Sequence, residues 1–114
     1  MREEMDIHLL CDDILQATGK IRDYTRDMTY ESFLQDLKTQ DAVIRNLEIV
    51  GEAVKNLPKS IKEQYPEIPW RFISGMRDKL IHHYFGVSLV IVWETAHSDI
   101  PVLMEHFKGI KQQL

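Results

Sequence analysis

Ala42-Val43-Ile44-Arg45-Asn46-Leu47-Glu48-Ile49-Val50-Gly51-Glu52-Ala53-Val54-Lys55-Asn56-Leu57-Pro58 is the stretch that decides the fold. Val43, Leu47, Val50, Val54 and Leu57 recur alternately four and three residues apart, the spacing of one helix face. Pro58 closes the run, because a proline ring cannot continue a helix. The same spacing extends outward in both directions. Ile7, Leu10, Ile14, Ala17, Ile21, Tyr24 and Met28 form an earlier stripe; Leu89, Trp93, Ala96, Ile100, Leu103, Phe107, Ile110 and Leu114 form a later one. Each reads as the seam of a bundle helix. Thr29 is placed to cap the second helix, Pro69 suits a first helical turn, and Gly86 suits a stop. A short amphipathic turn is expected around Ser60 to Tyr65. Val87 to Val92 is rich in β-branched residues but joins the helical seam, so no strand is expected. Pro101 lies inside the last stripe and predicts a kink or a split into two helices. The expected fold is therefore all-α: an antiparallel bundle of four long helices plus a short one.

Composition bounds the class. A chain of 114 residues, 44% apolar and 28% charged, suits a single domain spanning 1–114, with so limited a core that a partner subunit would help to bury surface. No apolar run is long enough to span a bilayer, and Met1-Arg2-Glu3-Glu4 is too polar for a signal peptide, so a cytoplasmic protein without membrane partners is expected. Cys11 is the only cysteine, which excludes an internal disulfide and a thiolate metal cluster. The net charge of −4 argues against promiscuous nucleic-acid binding and leaves DNA unexpected. A local cationic cleft can still operate on an acidic protein; Arg77, Lys79 and, further back, Arg71 are the basic residues at hand.

Arg77-Asp78-Lys79-Leu80-Ile81-His82-His83-Tyr84 places a permanent cation, an imidazole and a phenol within two helical turns. At about 100° per residue, Tyr84 projects nearly along Arg77, while His82 falls one turn beyond Asp78. Trp70, Ile73, Leu80 and Ile81 flank Arg77, so the guanidinium starts from apolar surroundings and needs a partner. That partner is either a carboxylate on a neighbouring helix, for which Glu48 and Glu52 are available, or the phosphate of a ligand.

The pattern Arg-x-x-x-x-His-x-Tyr followed by Phe85-Gly86-Val87 resembles the signature of the HepT family of HEPN-domain proteins. So do the 42–58 stretch, Tyr65-Pro66-Glu67-Ile68-Pro69-Trp70 and Ile91-Val92-Trp93, in the family's order from about Asp41 to Leu103. Two positions depart from the commonest form: Asp78 stands where Asn is frequent and Ser88 where Asp is frequent. The resemblance implies an all-helical, dimeric ribonuclease, the toxin of a type VII toxin–antitoxin pair. Its implied partners are an RNA substrate, a second copy of itself and a cognate MntA-like nucleotidyltransferase that modifies Tyr84 with AMP. No cofactor is implied.

The chemistry such a site needs matches these residue types. RNA is cut without a metal when its 2′-hydroxyl attacks the adjacent phosphate. A base takes the 2′ proton, an acid protonates the leaving 5′-oxygen, and a cation stabilises the phosphorane. Histidine, with an ordinary pKa of about 6.5, serves as acid or base; the arginine fork matches phosphoryl oxygens. These roles fall to His82 and Arg77 as catalytic residues. Asp78 would orient His82, and Glu48 and Glu52 would hold Arg45 or Arg77. One chain offers one motif imidazole; the resemblance implies a composite site across a homodimer, where two chains would bring two histidines and two arginines into one cleft. The alternative is a non-catalytic HEPN-type helical adaptor that binds a nucleotidyltransferase or a nucleotide, with Arg77 and His82 in an interface ion-pair system.

Other constellations are weaker. Glu94-Thr95-Ala96-His97 matches one Glu-x-x-His element of a di-iron bundle, but a second copy is missing. His8, Cys11 and Asp12 share a face without a complementary cluster, His82 and His83 diverge by about 100°, and His106 suggests no task. No metal is therefore expected. Neither a glycine-rich phosphate loop nor a Gly-x-Ser-x-Gly elbow is present.

Overall fold

The computed structural model of the chain describes the backbone of residues 2–82 and 88–114, with side chains from 6 to 80 and from 88 onward. All regular structure among the described residues is helical. Four long elements build the bundle: α1 (Arg2–Thr25), α3 (Leu37–Asn56), α5 (Trp70–His82) and a last helix made of α6 (Leu89–Glu94) and α7 (Ile100–Gln112). Two short helices, α2 (Tyr30–Leu34) and α4 (Lys59–Gln64), bridge them. α3 is central, packing along α1 on one side and α5 on the other, while α1 also packs along α7.

The stripe on α3 is the core: Val43, Leu47, Val50, Val54 and Leu57 are all buried, facing Ile7, Cys11, Ile14, Ala17 and Ile21 of α1. The α1 seam then drifts from the expected line. Tyr24 is 42% exposed, and Thr25 turns inward instead, donating its hydroxyl to the Ile21 carbonyl at 2.8 Å. That local bond lets a polar residue occupy a buried helical position.

Thr29 does cap a helix, but the short α2 rather than α3. Its hydroxyl accepts from Ser32 N–H at 3.1 Å while the Ser32 hydroxyl accepts from Thr29 N–H at 2.9 Å. α3 has its own cap in Asp36, which accepts from the backbone N–H of Thr39 at 3.0 Å. Buried Gln40 seals the break, donating to the Phe33 carbonyl at 2.9 Å, which also accepts from the Asp36 N–H at 3.2 Å, and to the Leu34 carbonyl at 3.2 Å.

The last helix is divided just ahead of Pro101, as expected, and the division takes the form of a π turn. α6 runs into one π-helical turn, Thr95–Asp99, and then into α7, with Pro101 in its first turn. The Ile100 N–H reaches back five residues to the Thr95 carbonyl. Widening the backbone here accommodates a residue that has no N–H and crowds the turn before it. Trp93, just before the π turn, packs on Phe33 with ring centroids 5.2 Å apart. The short α4 forms where the amphipathic turn was expected. Trp70 fastens it to α5, its indole N–H donating to the carbonyls of Lys62 at 3.1 Å and Tyr65 at 3.0 Å. The expected helix stop at Gly86 lies outside the described residues.

Among the described glycines, Gly51 alone lies against a neighbouring helix, at the crossing of α3 and α5. A Cβ added at Gly51 would sit 2.2 Å from the Arg77 Cβ, 2.9 Å from its Cγ and 3.2 Å from the Ile73 carbonyl oxygen. Gly51→Ala should therefore lower the unfolding free energy by roughly 1–3 kcal/mol through overpacking. Gly109→Ala, where an added Cβ meets nothing within 4 Å, should raise it by about 0.5–1 kcal/mol by restoring helix propensity. Urea unfolding midpoints of the two variants, read with unchanged slopes, check the opposite signs.

Candidate active site

Gly51 brings Arg77 onto α3, and the next residue on α3 receives its charge. Arg77 Nη2 lies 2.8 Å from Glu52 Oε2, and Arg77 Nη1 donates to Asp78 Oδ1 at 3.1 Å. The side chain is 22% exposed, so its stem is covered while its head reaches the surface. The Arg77 Nε is buried and has no hydrogen-bond partner among the described residues. Lys55, one turn along α3 from Glu52, closes the row: its Nζ is 3.9 Å from Asp78 Oδ1. Glu52, Arg77, Asp78 and Lys55 thus form a ladder of alternating charge across the α3–α5 crossing. Asn56 steadies the ladder's first rung, its amide donating to Glu52 Oε1 at 3.5 Å.

Beside this row is a cleft of about 260 Å³ between α1, α3 and α5, lined by Asp13, Arg45, Glu48, Glu52, Asn56 and Arg77 among others. Glu48 faces Arg45, Oε2 to Nη1 at 3.5 Å, so the two α3 glutamates serve different arginines. A second hollow of about 160 Å³, lined mainly by apolar groups such as Leu47, Val50, Ile73 and Leu103, lies between α3, α5 and the last helix. It holds neither Arg77 nor Arg45 and lacks the charge pattern of the cleft.

The sequence singled out Arg77, Asp78, Glu48 and Glu52, and the structure brings all four to the α3–α5 crossing with its flanking cleft. His82 ends α5, one turn beyond Asp78; its side chain, and all of Tyr84, lie outside the described residues. Two contributors were not anticipated. Gly51 was legible as an isolated glycine inside a helical pattern, which costs about 1 kcal/mol against Ala and so calls for a packing reason. Lys55 was legible as the basic residue three positions beyond Glu52 on the same helix face.

The weaker constellations remain apart. Glu94 and His97 are exposed, and the His97 ring stacks on Trp93 at 5.3 Å. No group of three or more His, Cys, Asp or Glu suited to a metal exists among the described residues. Cys11 is fully buried, and burial, followed by the neighbouring Asp12 carboxylate, pushes its thiol from 9.0 up to about 11. A neutral, enclosed thiol is a poor nucleophile. Native protein at pH 8 should therefore react with a disulfide reagent only as fast as it unfolds. Because the folded state holds this proton more tightly, the thiol's contribution is complete below pH 9 and stability should fall as pH climbs from there through about 11.

Comparison with known proteins identifies the family. The family described as "Ribonuclease HepT-like" matches residues 14–110, which include the whole α3–α5 crossing. A Thermococcus cleftensis protein named "Probable ribonuclease HepT" is 50% identical over 101 residues, covering 89% of this chain and 92% of that protein. A Methanocaldococcus jannaschii protein named "Putative RNase MJ0125" is 49% identical over 109 residues, covering 96% of this chain and 94% of that one. Its counterpart in Caldanaerobacter subterraneus, named "Putative RNase TTE0752", is 46% identical over 100 residues, covering 88% and 89%. No solved structure matches the chain. With the family match covering residues 14–110 and the named relatives aligned over most of their own length, the chain belongs to the HepT-like ribonuclease family.

Proposed function

We propose that the chain is a metal-independent endoribonuclease, the cytoplasmic toxin of a type VII toxin–antitoxin pair, silenced by AMP on Tyr84. The observation that carries the reading is the setting of Arg77: a fork fixed on two sides by carboxylates, beside a cleft, on the helix that ends at His82. Pre-fixed donors aimed at developing charge lower a barrier without reorganisation at the moment of reaction. His82 moves protons, Asp78 orients it, and Arg77 takes the non-bridging oxygens of the phosphorane. The 2′-oxygen of RNA bonds to phosphorus and loses its proton to the base. The P–O5′ bond breaks, and the 5′-oxygen leaves with a proton from the acid. A cyclic phosphate and a free 5′-hydroxyl result. A twofold dimer supplies both imidazoles from two copies of His82.

Cleavage should persist in excess chelator. It should fall by about 100-fold or more in His82→Ala, the scale of a lost general acid or base. Arg77→Lys should fail comparably, since a point charge cannot reproduce a two-pronged hydrogen bond. Initial rates on a labelled RNA, with the mass of the cyclic product, check all three; near-normal cleavage by Arg77→Lys removes Arg77 from the transition state.

Silencing follows from charge. The Tyr84 hydroxyl attacks the α-phosphorus of ATP on the nucleotidyltransferase, pyrophosphate leaves, and a phosphodiester anion remains near Arg77 on α5, where it repels an RNA phosphate. Incubated with its nucleotidyltransferase and ATP, the chain should gain mass in steps of one AMP and lose cleavage in proportion. Tyr84→Phe should gain no mass and keep cutting. Intact mass spectrometry with cleavage assays reads both, and a labelled site at Tyr24, Tyr30 or Tyr65 counts against the mechanism.

A further inference from the structure

Two arginines line one cleft. Of the basic groups among the described residues, only Arg45 and Arg77 reach the hollow of about 260 Å³ between α1, α3 and α5. We propose that Arg45 binds the RNA phosphate next along the strand from the one that is cut; the inference rests on the ribonuclease reading given above. An endonuclease holds a length of strand, so the phosphates beside the scissile one pass over the same surface and call for cations of their own. Under that reading Arg77 is committed to the phosphate that reacts. Arg45 carries the other fork in the cleft that matches phosphoryl oxygens.

The Arg45 side chain is 71% exposed, and its carboxylate contact, Nη1 to Glu48 Oε2, is 3.5 Å long. That exceeds the usual 2.7–3.2 Å of an N–H···O bond. The guanidinium donors are therefore uncommitted among the described residues, and a phosphate can bind there without displacing anything. Register favours two neighbouring phosphates over one. Glu48 and Glu52, the carboxylates that Arg45 and Arg77 face, are one turn apart on α3, about 6 Å along its axis. A strand laid along α3 meets one fork and then the other, with Leu10, Ile49 and Ala53 offering apolar surface between them. Asp13, Glu48 and Glu52 outnumber the two arginines by one charge, so the cleft gathers no phosphate by its field. It holds one only where a fork meets it.

Binding of a 2′-O-methyl RNA, which lacks the attacking hydroxyl and stays uncut, tests this across a salt series. Arg45→Met, which keeps an apolar stem, should raise Kd about fivefold, the upper end for an exposed ion pair. The slope of log affinity against log salt should shrink by about 0.7, the share of one phosphate on a single strand. Cleavage should show the same factor in KM with kcat held, at an unchanged melting temperature, and equally on RNAs of different sequence. The loss should be as large in a Glu48→Gln background. A loss that vanishes there would mean that Arg45 only neutralises Glu48, and would overturn the proposal. So would wild-type affinity in Arg45→Met, or weaker affinity with an unchanged salt slope. A wild-type protein that cuts no RNA would instead overturn the ribonuclease reading, and this inference with it.

Discussion

One missing methyl group governs the site. With no side chain at Gly51, the stem of Arg77 lies directly on the α3 backbone, Cβ against Cα, and the Ile73 carbonyl is drawn in beside it. Any residue with a Cβ would push α5 outward. Glu52 follows Gly51 in sequence and Lys55 lies one turn beyond, so the carboxylate and ammonium that face α5 are registered by the same crossing. Packing and electrostatics are therefore a single constraint here. A glycine in mid-helix is unfavourable on propensity alone, and its presence is explained by what it lets the neighbouring helix do.

Most of the bundle was legible because a periodic apolar stripe reports which face of a helix is buried. The α3 seam is buried at every position read from sequence, and the last seam holds from Ala96 to Ile110. The misses share a cause: they depend on bonds made out of register with that period. Thr25 replaces Tyr24 inside the core because its hydroxyl can bond back to Ile21. The helix between Thr29 and Asn56 splits because the Gln40 amide satisfies carbonyls that a continuous helix would have paired internally. The division of the last helix before Pro101 was expected, but its π form was not, because the Ile100 N–H reaches the Thr95 carbonyl across a five-residue spacing.

The candidate site divides the same way. That Arg77 needs a carboxylate, and that α3 carries two, followed from burying a cation among apolar neighbours. Which glutamate takes which arginine did not: Glu48 and Glu52 are one turn apart, and only the crossing sends Glu52 to Arg77 and leaves Glu48 with Arg45. Gly51 and Lys55 act across the helix pair rather than along one helix. A one-dimensional pattern records faces and not the distance between axes, so both carried a local signal without a stated partner.

An acidic chain, net −4, handling an anionic polymer becomes physically coherent once the ladder is considered as a whole. Glu52, Arg77, Asp78 and Lys55 sum to zero, so the resting site attracts RNA weakly and at long range the protein's negative field repels it. Binding then has to come from local contacts, and the Arg77 fork, with N–H donors left over after Glu52 and Asp78, is the group of the ladder that can meet two phosphoryl oxygens at once. Such a fork favours a ligand whose two oxygens fit it over one that merely carries charge. Under the proposed reading, an AMP phosphodiester on Tyr84 would compete for that fork: it carries the same oxygens as the substrate, tethered and therefore at far higher local concentration than free RNA.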